Sequence, residues 1–421
     1  MMRGFLFISA LALAPAAIAA QVPQRDSVAR ADSAAAADSI ALVRELEGAQ
    51  RSDTAAATGQ GPVNTRLLPD ISVVGDMIAD LSPNRSTQED RSRFGIREIE
   101  VALQAAVDPY FRGDVFIGFS DEEGAAIEQA YLTATSLPWQ LETRLGRFMM
   151  PVGKQVTTHR HDLHTIEYPY VIQSFFGPEG LKGTGIYASR VFSPLGFYQE
   201  LIGTVVDRFG EPPEQMTSAR SPNEKLSGLG YSVRLRNYWD FSEAANIEVS
   251  FSGVTGLREQ PLLGSFEGTK AINARQSVVA LDATYRWRPL AQGLYKSFIA
   301  QVELLRQSNE TPAVPDEYQE PDGSPIEFGG PAGSYTGGYA FARYQTSRRT
   351  FIAARYDFLE DPMRDGANVR AASGYFTFFP SEFSKLVAGY ERYMPRGGEK
   401  LLNRFILQAT FALGPHKPHP F

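Results

Sequence analysis

The chain has 421 residues, a formal net charge of −7, 11% aromatic residues and no cysteine. A disulfide framework and thiol chemistry are therefore excluded, and charges scattered along the chain leave no basic footprint, so no nucleic-acid partner is expected. After residues 1–20 no stretch supplies the roughly 18 apolar residues of a spanning helix, which excludes a helical membrane protein and leaves a β-barrel open.

Arg3 precedes the apolar run "FLFISALALA", and "AAIAAQ" follows with small residues where a signal peptidase reads. Residues 1–20 are thus expected to be a signal peptide, cleaved after Ala19 or Ala20, and the protein to be exported. Residues 21–50 are Ala-rich and predict a short periplasmic helical segment with a weak apolar stripe of Ile40, Leu42, Val43 and Leu46. Residues 51–69 read as a Ser/Thr/Ala/Gly linker.

Residues 70–421 form one domain of alternating segments, about 16 in number, separated by turn residues. They begin near Ile71, Ile96, Phe111, Ile127, Leu141, Gly185, Tyr198, Gly228, Ile247, Ser277, Ser297, Gly337, Phe351, Tyr375, Lys385 and Asn403. The segment at Gly337 departs most from the pattern, being rich in glycine. Links such as "DPY", "SLPWQ", "FSPLG", "QTSRR" and "FFPSEFS" are short, and the alternate links are long, which predicts turns at one end and loops at the other. The fold class expected is all-β: a transmembrane antiparallel up-and-down β-barrel.

In "FIAARYDF" Ile352, Ala354, Tyr356 and Phe358 oppose Arg355 and Asp357; in "VVALDATYRW" Val279, Leu281, Ala283, Tyr285 and Trp287 oppose Asp282, Thr284 and Arg286. A soluble barrel would alternate in the same way; the signal peptide, the loop asymmetry and a terminal strand ending at Phe421 favour lipid outside. Alternation then places Glu98, Glu100, Arg112, Asp114, Glu142, Arg144, Arg234, Arg236, Asp282, Arg286, Arg355 and Asp357 on the lumen wall, with Glu248, Glu303, Lys385, Glu391 and Arg404.

The stretches "REIEVALQAAVDPYFRGDVFIGF", "IEQAYLTATSLPWQLETRLGRFMMPVGK", "THRHDLHTIEYPYVIQSFFGPEGLKGTG" and "FILQATFALGPHKPHPF" resemble the outer-membrane porin superfamily that includes the phosphate-selective porins O and P. They are also similar to uncharacterised relatives labelled zinc-regulated TonB-dependent outer-membrane receptors. The resemblance covers residues 70–421. It implies a 16-stranded barrel in the outer membrane of a diderm bacterium, a homotrimer, and a role for Phe421 as the signal read by the barrel assembly machinery. The wall charges nearly cancel, so phosphate selectivity is not expected to carry over. A TonB-dependent receptor needs a plug and about 22 strands, and the residues before the first strand cannot hold one.

The function expected is a porin: a passive diffusion channel for small hydrophilic solutes or ions, not an enzyme, with no cofactor and with membrane lipid as its surroundings. The loop "KQVTTHRHDLHTIEYPYVIQSFFGPEG" suits a compact folded loop that bends into the barrel, placing Lys154, His159, Arg160, His161, Asp162, His164 and Glu167 at a constriction. Two alternatives stay open. One is a metal-binding, zinc-related barrel in which His159, His161, Asp162 and His164 hold zinc; the other is a structural barrel without channel activity.

Overall fold

A computed structural model describes residues 69–83, 93–121, 124–134, 136–210, 216–218, 225–263, 269–314, 323–324, 326–362, 366–395 and 401–414. The expected signal peptide, helical segment, linker and Phe421 lie outside these residues. What the described chain forms is an all-β, closed antiparallel barrel of 16 long strands with one short helix.

In chain order the strands are β1 (Asp70–Asp80), β2 (Phe94–Ala106), β3 (Phe111–Ser120), β4 (Gly124–Ala134), β5 (Leu141–Met149), β6 (Lys182–Phe192), β7 (Tyr198–Val206) and β8 (Gly230–Ser242). Then come β9 (Ala245–Leu263), β10 (Thr269–Trp287), β11 (Phe298–Asn309), β12 (Gly333–Gln345), β13 (Thr350–Asp361), β14 (Ala367–Ser381), β15 (Ser384–Pro395) and β16 (Leu402–Leu413). Each pairs with its successor, and β16 returns to β1 with Met77 opposite Ala409. Two short pieces extend the sheet at the loop end: Met216–Ser218 runs parallel to the start of β10, and Glu327–Phe328 pairs with the end of β9.

The two faces follow the period of two. Ile127, Leu145, Ile186, Val233, Phe251, Val279, Ile352 and Phe405 stand exposed on the outside, while Asp282, Glu303, Arg355 and Gln408 are buried within. A Leu or Ile side chain gains about 1.5–3 kcal/mol on leaving water, so an outer surface built of such residues calls for an apolar surrounding. Tyr110, Trp139, Phe241, Tyr295 and Phe383 are exposed beside the turns, as the aromatic girdle of a membrane barrel requires.

Two expectations need correction. Short and long links do not alternate strictly: 121–123 at the loop end is as short as a turn, and 288–297 at the turn end is longer than one. Strands β9 and β10 are 19 residues each, so extended backbone absorbs much of what the sequence presents as loop. The glycine-rich segment is a full strand, β12, and its glycines have a use. A Cβ on Gly337 would lie 2.7 Å from Val171 Cγ2, and one on Gly389 in β15 would lie 2.7 Å from Ile166 Cδ1. Both mark places where another piece of chain presses on the wall.

The closing strand tests the topology. Ala409 pairs on both sides, with Met77 and with Leu386, so Ala409→Pro removes a ladder hydrogen bond in the seam. The variant is expected to lose the folded, heat-modifiable band in gel electrophoresis. Unchanged folding would mean that β1 and β16 do not close the barrel.

Candidate functional site: a loop folded across the lumen

Residues 150–181 leave β5, enter the barrel and return to β6. Their apolar side chains are buried: Met150, Val152, Val156, Leu163, Tyr168, Val171, Ile172, Phe175 and Phe176 form one cluster with inward residues of the wall such as Val254, Val278, Leu305, Leu359 and Tyr393. The helix α1, Tyr170–Phe176, begins behind Pro169, whose fixed φ suits a helix start, and ends at Gly177 with φ +100°. Its free end is satisfied by the wall, since Arg258 and Gln276 donate to the Phe175 carbonyl at 3.3 and 3.2 Å.

Polar anchors fix the loop to strands around the barrel. Gly153 N–H donates to Ser252 Oγ at 2.9 Å, Lys154 N–H donates to Glu303 at 3.0 Å, and Lys154 Nζ pairs with Glu248 at 2.8 Å. Gly153 has φ +65° and meets Glu303 where a Cβ would be, so this entry turn needs glycine. Arg97 pairs with Asp76, donates to the Ile166 carbonyl at 2.7 Å and reaches Glu167 at 2.8 Å. Arg355 donates to the Glu167 carbonyl at 2.6 Å, Lys385 to the carbonyls of His161 and Leu163, and Tyr170 to Glu391 at 2.6 Å.

The sequence-derived loop residues thus lie inside the barrel, on different walls. His159 faces Glu100 and Gln129, each at 2.7 Å. Arg160 pairs with Glu167 at 2.8 Å. His161, 2% exposed, stands 3.8 Å from Glu98 and 3.7 Å from Asp162. His164 stacks on Phe341 and lies 3.0 Å from the Arg343 guanidinium, so it does not converge with the other two histidines. Burial pulls the His161 pKa down, but the carboxylates of Glu98, Asp162 and Glu100 around it outweigh this and push it up to about 9. Burial draws Lys154 below the ordinary lysine value against the pull of Glu248, and raises the Tyr168 phenol.

Of the wall charges expected from alternation, Glu98, Glu100, Asp114, Arg234, Asp282, Arg355 and Asp357 are buried, and Arg112, Glu142, Arg144, Arg236 and Arg286 are partly exposed. Three pairs sit two residues apart on one strand: Arg112–Asp114 at 2.9 Å, Arg144–Glu142 at 2.7 Å and Arg355–Asp357 at 2.7 Å. Others join strands: Arg236–Glu200 at 2.6 Å, Arg234–Asp282 at 3.3 Å, and Arg286 with Glu248 at 3.3 Å. Arg97 and Glu128 were missed, because each sits where pairing slips: Asp76 and Met77 oppose Glu98 and Ile96, and Phe116 and Ile117 oppose Gln129 and Ile127. The extra residue of a bulge turns a charge inward against the alternation of its neighbours.

Below the loop a cavity of about 410 Å³ is lined by Lys154, Asp162, His164, Arg286, Arg343 and Lys385 among others. Arg286 and Arg343 also line a second cavity of about 640 Å³ beside the 288–295 turn. The lumen is therefore polar toward the turns and apolar where the loop packs. The loop brings an apolar face of its own, and the wall opposite is apolar to match.

A closed 16-stranded barrel crossed by an inward loop is a porin-like fold. Similar folds are OmpT of Vibrio cholerae in a trimer form (10% identity, 82% of this chain and 100% of that one, TM-score 0.50), OprB of Pseudomonas putida (8%, 82% and 94%, 0.52) and Salmonella typhi OmpF complexed with daunomycin (11%, 84% and 99%, 0.50). At the level of sequence, an uncharacterised protein of Aquifex aeolicus (strain VF5) is 26% identical over 348 residues, which are 78% of this chain and 70% of that protein. No protein-family model matches the chain.

The glycine notches give a direct test of loop docking. Gly337→Val places methyl groups against Val171, and overpacking of this kind costs about 1–3 kcal/mol. The variant is expected to keep the barrel but to release the loop, seen as trypsin cleavage after Arg160 that the wild type resists. Equal resistance of the two proteins would show that the loop does not rest on β12.

Proposed function

We propose that this protein is a porin-like channel of the outer membrane of a diderm bacterium, passing small hydrophilic solutes or ions through a lumen narrowed by residues 150–181. The observation that carries this reading is the loop itself, pinned by wall charges above polar cavities, with Lys154, Asp162 and His164 facing the free space beside Arg286, Arg343 and Lys385. No reaction is required of these groups. Their part is to set the width of the passage and its field.

Selectivity is weak in this reading. The wall cations sit against carboxylates: Lys154 and Arg286 against Glu248, Arg236 against Glu200 and Glu248, and Arg234 against Asp282. A field cancelled over a few ångströms does not focus one ion sign. That separates the chain from the phosphate selectivity of the porins whose motif order it resembles. The apolar packing of α1 further implies small conductance while the loop is seated. Homotrimeric assembly is the expectation from the resemblance, and OmpT is a neighbour in trimer form.

Planar-bilayer recording in a salt gradient tests this. Wild-type protein is expected to give small channels with a reversal potential near zero, and a variant lacking residues 157–176 to conduct several-fold more. If both folded proteins are silent, the barrel is structural and the channel reading is wrong; a reversal potential near the ideal value for one ion sign would sink the weak selectivity.

The assembly role of Phe421 is a separate proposal, resting on the terminal strand and the resemblance. Deleting it is expected to lower the amount of barrel in the outer membrane while leaving the conductance of inserted molecules unchanged. An undiminished yield would make Phe421 an ordinary tail residue.

A further inference from the structure

On one side of the lumen, β2, β4 and the loop bring together three carboxylates and two imidazoles. Ligand atoms of Glu100, His159 and His161 all lie within 4.8 Å of one another, and so do those of Glu98, Glu100 and Glu128. Oxygen and nitrogen ligands about 2.0–2.2 Å from a tetrahedral ion stand roughly 3.4 Å apart, so small side-chain rotations close either set. We propose that Glu100, His159 and His161, with Glu98 and Glu128 beside them, bind a divalent transition-metal cation that staples the loop to the wall.

The surroundings are arranged for the cluster. Glu98 and Glu100 share the inner face of β2 at positions i and i+2, and pairing slips on either side of them, at Arg97 against β1 and at Glu128 of β4 against β3. The β4 bulge adds Glu128 to the inner face beside Gln129. The Glu128 carboxylate then crosses β3 over Gly118, the partner of Glu100, where a Cβ would lie only 2.4 Å from Glu128 Oε1. Any larger residue at 118 would push Glu128 away from its two companions.

Charge favours a cation at this corner. Glu98, Glu100 and Glu128 are 9%, 3% and 8% exposed, and three carboxylates so close and dry cannot all be anionic without compensation. Lys182 stands 3.4 Å from Glu128 but is shared with Glu179 at 2.5 Å. Glu100 Oε2 and His159 Nδ1 are buried and 2.7 Å apart, yet neither makes a hydrogen bond. The far nitrogen of His159 meets Gln129 Nε2, a donor, at 2.7 Å, and Gln129 Oε1 accepts from Met149 N–H at 3.3 Å; leaving Nδ1 for an ion requires this amide to turn over, so that its oxygen accepts the Nε2 proton. Mixed imidazole and carboxylate donors suit zinc and its neighbours among the divalent first-row ions. This set shares only His159 and His161 with the four residues that spacing suggests, since His164 has gone to Arg343.

Zinc is the probe. Folded wild-type protein, equilibrated with Zn²⁺ and desalted, is expected to retain about one zinc per chain by mass spectrometry, and its thermal midpoint to rise with Zn²⁺ concentration. Glu100→Gln and the double variant His159→Ala/His161→Ala are expected to lose the zinc and the shift, while His164→Ala keeps both. Heat-modifiable mobility establishes which variants fold, and the wild-type measurements decide alone if one does not. A folded wild type without zinc or a midpoint shift overturns the proposal. Zinc retained by the folded double variant, or lost equally from His164→Ala, does the same. None of these readings depends on conductance, so a silent bilayer leaves them standing.

Discussion

The seam between β16 and β1 is the constraint on which everything else depends. In lipid there is no water to satisfy a free N–H or carbonyl, and a sheet edge left open costs several kcal/mol for each orphaned group. Closing the ladder removes both edges at once. It also divides the side chains without exception into those that meet the surroundings and those that meet one another across a lumen of fixed width. The inward charges cannot retreat to bulk solvent. They pair along a strand, as Arg355 does with Asp357, or between strands, as Arg236 does with Glu200.

A lumen so enclosed selects the kind of loop that can enter it. A polar loop would have to satisfy its own backbone with little water to help, so residues 150–181 borrow the wall instead: Arg97, Arg355 and Lys385 donate to carbonyls of residues 161–167. The apolar half, around α1, is accommodated by strand glycines. Breaking one of the buried pairs, for instance at Arg97, would leave the buried Asp76 without its paired cation, a loss of about 3–5 kcal/mol. Position matters more here than strength, because these anchors hold the loop in one place within the lumen.

How much of this could be read from the sequence follows from the same physics. A strict period of two made the strand starts and the wall charges legible, and the inner positions of Asp282, Arg286, Arg355 and Asp357 followed from their neighbours. The in-folded loop was legible from its length, aromatics and Pro/Gly content. Arg97 was hidden because a bulge breaks parity, and nothing in "FGIREIE" signals where the extra residue falls. The apolar half of the lumen was hidden for a different reason: residues such as Val254 and Leu305 look like mismatched wall positions until the loop that covers them is in place.

The meeting of Glu98, Glu100 and Glu128 with His159 and His161 belongs to neither local pattern. It requires a bulge in β4, a glycine in β3, two acidic residues in phase on β2 and a loop returning from β5. Each has a local reason taken alone: a bulge twists a sheet, a glycine relieves crowding, an acidic wall residue pairs with a base. Taken together they crowd like charges into a dry corner, which a fold seeking only stability would avoid, since apolar residues of similar volume would pack there at less cost. Departures from regular pairing that converge on a costly arrangement are where a function other than folding is to be sought.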